Sequence, residues 1–131
     1  MTTELTLLAW TLVLALAQIL IAASLRTKET GLSFNISARD TDALPPGRLT
    51  ARLQRAQANL FETLPLFAAA VLIAHSANIH TGTTVLGCWL YLGARVLYVP
   101  LYAFGVPLLR TLVWCVSVWG LIILFKAVLL P

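Results

Sequence analysis

Charge is what this sequence has least of: only 11% of its 131 residues are acidic or basic, five of them acidic, while 60% are hydrophobic. Soluble domains keep about a quarter of their residues charged, so this balance excludes an ordinary soluble protein, and the length leaves no room for a separate soluble domain. Cysteine is also scarce. Cys88 and Cys115 lie in separate apolar runs, outside any CxxC or Cys/His cluster, so neither a redox nor a zinc role is expected and both read as small apolar side chains. His75 and His80 flank a short link and read as solvated, and no metal site is expected. The segment before the first apolar run holds Glu4 but no Lys or Arg, and so lacks the basic start of a cleaved signal peptide. The net charge is +4, yet the basic residues border apolar runs and form no nucleic-acid motif; anionic lipid headgroups are the expected partner and nucleic acid is not.

What is present is four long apolar runs. Leu5 to Leu25 carries no charge and is long enough to cross a hydrocarbon core of roughly 30 Å at about 1.5 Å per residue. Ala56 to Ala77 is interrupted by Asn59 and Glu62, Thr83 to Phe104 by Arg95, and Thr111 to Leu130 by Lys126 near its end. The breaks between them are Pro45-Pro46-Gly47, His80-Thr81-Gly82, and Gly105 with Pro107. The pattern predicts an all-α membrane protein, one domain over 1–131, built as a four-transmembrane-helix bundle with helices at about 5–25, 50–77, 83–104 and 108–130. Thr50 is the expected N-cap of the second helix. Arg26, Lys28, Arg39, Arg48, Arg52 and Arg55 lie between the first helix and the start of the second, and Arg110 lies at the third link. Basic residues are retained on the cytoplasmic side, which predicts both termini facing away from the cytoplasm, with Lys126 snorkelling to the interface.

Two helices carry polar stripes. Arg52, Arg55, Asn59 and Glu62 are spaced 3, 4 and 3 apart, one face of the second helix, with Gln57 nearly opposite. Tyr91, Arg95, Tyr98 and Tyr102 are spaced 4, 3 and 4 apart on the third. Ionisable groups at membrane depth cost about 2.5–3.5 kcal/mol each, so they face the bundle interior or a wet cavity. Two readings follow: Glu62 pairs with Arg95 or Arg55 to fix helix register, or the stripes line a cavity for a polar ligand with negative groups. Arginines outnumber the single glutamate, and guanidinium forks match carboxylates. A pore-lining role is a third reading, disfavoured by the lack of an inverted repeat.

The stretch RAQANLFE, Arg55 to Glu62, resembles the signature of the MAPEG family, membrane-associated proteins in eicosanoid and glutathione metabolism, and ARVLYVPLYAFGVPLLR, Ala94 to Arg110, resembles its second signature. The resemblance spans nearly the whole chain. It implies a homotrimer of four-helix subunits that binds glutathione as co-substrate between neighbouring subunits, near the cytoplasmic face. By position, Arg55, Gln57, Asn59, Glu62, Tyr98 and Tyr102 match glutathione contacts of the leukotriene C4 synthase type of member; Arg110 falls near the catalytic, thiolate-holding arginine, and Arg26 resembles a further ligand-side arginine. Arg52 joins the set through its place on the stripe. Two departures stand out: Thr63 follows the signature glutamate where that enzyme has tyrosine, and the path from Tyr102 to Arg110 is one residue longer. The implied function is a membrane-bound glutathione transferase of detoxification, possessing or lacking peroxidase activity, that acts on a small hydrophobic electrophile or lipid hydroperoxide from the bilayer. The alternative is a non-enzymatic glutathione- or lipid-binding member.

Overall fold

A computed structural model describes residues 1–131 and consists of helices and their connections: α1 Thr3–Thr30, α2 Leu32–Asn35, α3 Arg48–Ser76, α4 Gly82–Ala103 and α5 Pro107–Leu129. Apart from the single turn α2, each is long and apolar enough to cross a membrane. Large apolar side chains such as Trp10, Leu20, Leu72, Trp89, Leu97 and Trp119 cover the outside of the bundle, a surface suited to hydrocarbon and not to water. The chain is an integral, multi-pass membrane protein.

Contacts between helix ends set the topology. The start of α1 meets the start of α4, where Thr84 donates to Glu4, and the end of α1 meets the start of α3, where the Gly47 N–H donates to Glu29 Oε2 at 2.6 Å. Neighbouring helices therefore alternate in direction, and both termini lie at one end of the bundle. The long α1–α3 link and the short α4–α5 link share the other end. The core between the helices is apolar, with Phe67 of α3 stacked on Tyr91 of α4 at 4.1 Å. Glycines set the closest approach, between α4 and α5. A Cβ at Gly120 would lie 2.7 Å from the Gly87 carbonyl oxygen and 2.9 Å from the Tyr91 nitrogen, so only glycine admits this crossing.

Helix ends differ from the sequence reading where a tertiary partner intervenes. The first helix continues past the apolar run, through Arg26-Thr27-Lys28-Glu29-Thr30, because nothing breaks it before Gly31; there the backbone turns to φ +87° and the Gly31 N–H bonds Thr27 O at 2.8 Å. Thr50 is not the cap of the second long helix. Gly47 takes that position with no side-chain cap, its own N–H taken by Glu29, and Thr50 is buried within the first turn. His80 is exposed, as expected, and in addition its Nδ1 lies 3.4 Å from the buried Glu4 carboxylate. Cys88 is buried, whereas Cys115 lies on the outer surface of α5.

Candidate functional site

The polar stripe of α3 meets α4 rung by rung. Arg52 Nη1 donates to the Ala103 carbonyl at 3.2 Å, Arg55 Nε to the Tyr102 hydroxyl at 3.1 Å, and Asn59 Oδ1 accepts from Arg95 Nη1 at 2.6 Å. Tyr102 is the centre of the outer part. The Arg110 guanidinium lies 4.6 Å from its ring centroid and that of Arg55 lies 5.6 Å away, while Tyr98 meets it edge-on at 5.6 Å. Cation–π contact of this kind contributes about 0.5–2 kcal/mol per cation, rising with desolvation. It leaves the positive charge in place, and no carboxylate answers it. Ion pairs within 4 Å are confined to Arg26 with Glu29 and His80 with Glu4.

Local chain geometry sets these positions. Beyond α4 the backbone reverses at Gly105, φ +70°, a left-handed conformation that glycine adopts without strain. A Cβ there would stand 2.7 Å from an Arg52 Nη atom, so the missing side chain also leaves room for that guanidinium. Pro107 opens α5, its fixed φ suiting the first helical turn, and this places Arg110 beside Tyr102.

The remaining residues singled out from sequence are placed differently. Glu62 is exposed on α3 and has neither Arg55 nor Arg95 as an ion-pair partner, so pairing for helix register is not what holds these helices together. Gln57 is half-buried and away from the rungs described above. Arg26 is turned into the long link: its Nη2 donates to the Leu44 carbonyl and its Nη1 lies 3.7 Å from Glu29. Three residues outside the expected glutathione set, Arg95, Thr63 and Tyr91, complete the seam. Arg95 donates through Nη2 to Thr63 Oγ1 at 2.9 Å, and Thr63 shares a 2.8 Å hydrogen bond with the Tyr91 hydroxyl. The signal for Arg95 was visible, as a charge in the middle of an apolar run. Thr63 stood out only as a departure from the family pattern and not through periodicity, because one step beyond Glu62 the helix turns about 100° away from the stripe. The four concavities of the chain have other linings; within the seam Arg55 and Glu62 are exposed, whereas Arg95, Tyr91 and Tyr98 are buried.

These features define a class: a four-helix integral membrane protein whose α3–α4 seam holds arginines and tyrosines without a balancing acid, an arrangement that can receive an anionic group. The MAPEG family model matches residues 5–130, and the chain belongs to the MAPEG family. No curated protein matches it.

Proposed function

We propose that the protein is a membrane-bound glutathione transferase, acting as a homotrimer on hydrophobic electrophiles or lipid hydroperoxides that arrive from the bilayer. The observation that carries this reading is the pair of guanidiniums on Tyr102, Arg55 and Arg110, without a carboxylate partner. Glutathione has two carboxylates, an ammonium, two amides and a thiol. Arg52 and Arg55 suit the carboxylates, the unpaired Glu62 suits the ammonium, and Asn59 and Gln57 suit the amides.

The site's exposure supports assembly. Glu62 lies about 21 Å along α3 from Arg48, at 1.5 Å per residue, on the outer surface of the single chain. A carboxylate facing lipid at that depth is costly, so a neighbouring subunit or a wet cleft covers it. In a trimer with glutathione between subunits, Gln57 and Arg26 serve from the far side of the same cleft.

For the chemistry, a thiol of pKa about 8.5 needs roughly 2 kcal/mol of preferential thiolate stabilisation to be half-ionised at pH 7. A guanidinium about 4 Å away contributes at most about 4 kcal/mol at an effective dielectric of 20. Arg110 lies in the first turn of α5, where unpaired backbone N–H groups add to the positive potential. The thiolate sulfur then attacks an electrophilic carbon, forming the C–S bond as the electron pair leaves with the departing group or moves into the acceptor. A groove of about 270 Å³ between α4 and α5, lined by Leu97 and Val113 among others, opens one turn from Arg110 and suits an apolar acceptor.

The test is difference ultraviolet spectroscopy of the purified protein with glutathione, beside Arg110→Leu. A thiolate band at neutral pH that disappears in the variant is expected; glutathione binding without a band in either protein leaves a binder and removes the transferase. We place the seam near the cytoplasm, both termini opposite. A cysteine at Asp42 that reacts with an impermeant reagent in intact cells reverses that orientation.

A further inference from the structure

Arg95 is 1% exposed, eight residues and about 12 Å before the last residue of α4, yet no carboxylate lies within 4 Å of it. Two neutral oxygens receive its guanidinium: Asn59 Oδ1 from Nη1 at 2.6 Å and Thr63 Oγ1 from Nη2 at 2.9 Å. Its Nε has no partner, and the Tyr91 and Tyr98 rings lie 5.6 and 5.2 Å from its centre. A buried cation held only by neutral groups is a costly element if its purpose is to join two helices, because an apolar pair of similar volume joins them as well.

Its geometry has a further consequence. A guanidinium carries five donors and no acceptor, so the end of the Asn59 amide that faces it must be the oxygen. Thr63, one turn further along α3, takes the other fork of the same guanidinium and is itself braced by Tyr91. Two attachments four residues apart prevent Arg95 from rotating and prevent Asn59 from flipping. The free end of the half-buried Asn59 is then its NH2 group.

We propose that Arg95 is a positioning residue that fixes Asn59 as an outward hydrogen-bond donor, so that position 59 selects a ligand presenting a carbonyl or carboxylate oxygen there. The proposal rests on the α3–α4 seam being the glutathione site. Thr63 is part of the device in this chain, at the position where it departs from the leukotriene C4 synthase pattern.

The decisive variant is Asn59→Asp. It still offers an oxygen to Arg95, now charged, and replaces the outward donor with an acceptor. Calorimetry with glutathione and thermal unfolding are measured on the same detergent-solubilised samples, with Arg95→Lys alongside. The expected result for Asn59→Asp is a melting temperature at or above wild type and glutathione affinity at least about tenfold weaker, the loss of a donor to a ligand oxygen. Arg95→Lys, whose single ammonium cannot bridge both Asn59 and Thr63, weakens glutathione while turnover at saturating glutathione stays within about twofold, a pattern of lost binding and not lost chemistry. Wild-type affinity in Asn59→Asp overturns the proposal. So does a loss of affinity accompanied by a matching loss of melting temperature in both variants, since the network is then structural. Wild-type protein that binds no glutathione removes the site itself, an outcome separate from either.

Discussion

Two polar clusters at opposite ends of the bundle, the Glu4 cluster and the α3–α4 seam, treat charge in opposite ways. At the end that holds both termini, Glu4 is buried against α4; Thr84 donates to its carboxylate at 2.5 Å and His80 Nδ1 stands 3.4 Å away. Glu4, Thr84 and His80 answer one another, and the result is a clasp between α1 and α4. At the link end, Arg55 and Arg110 share Tyr102, Arg52 has only the Ala103 carbonyl, and Glu62 stands apart. Partnered charge spends its interaction energy within the fold, whereas unanswered charge keeps it for something that arrives later. The seam is therefore where a ligand is to be sought, and the clasp is where stability is.

Mutations can break or sharpen that contrast. The largest effect is expected where the two ends are mechanically joined. Gly120→Leu drives a side chain into the Gly87 carbonyl and the Tyr91 nitrogen, already 2.7 and 2.9 Å from a single added Cβ, and should cost about 3 kcal/mol or more. Thermal unfolding in detergent should show it, with loss of function following from loss of fold. Next is Arg110→Leu. If its charge supplies the 1.5 pKa units that half-ionisation of the thiol at pH 7 requires, turnover at saturating glutathione falls about fifteenfold while the melting temperature is little changed, measured with a chromogenic electrophile. Unchanged turnover would take Arg110 out of the reaction.

Gly105→Ala comes third. Left-handed backbone strain costs about 1–2 kcal/mol, and the new Cβ displaces Arg52, so this variant should lose both stability and glutathione affinity. The smallest effect belongs to the clasp. Glu4→Gln keeps an oxygen for Thr84 but loses the charge opposite His80, about 1 kcal/mol of stability, with glutathione affinity and turnover unaltered. A change in affinity there would contradict the division of labour between the two ends.

How much of this was legible depends on the distance over which each feature is encoded. The four spans were readable because an apolar run about 20 residues long has few alternatives, and the arginine and tyrosine stripes because a 3.6-residue period repeats within one segment. The seam's main residues were therefore visible before any fold. Partners were not. Glu62 is the nearest acid to the arginines in sequence, yet its outward position on α3 leaves Arg95 to Asn59 and Thr63. Glu4 and Thr84 are 80 residues apart and meet only because α1 and α4 begin at the same end.

The sequence by itself determined that this is a membrane protein of four helices, which of their faces are polar, and which family it belongs to, because hydropathy and helical period are properties of single segments. Only the tertiary structure decided which charges are answered and which are left open. That outcome depends on helix crossings set by Gly87 and Gly120 and on the turn at Gly105, where differences of an ångström select the partner.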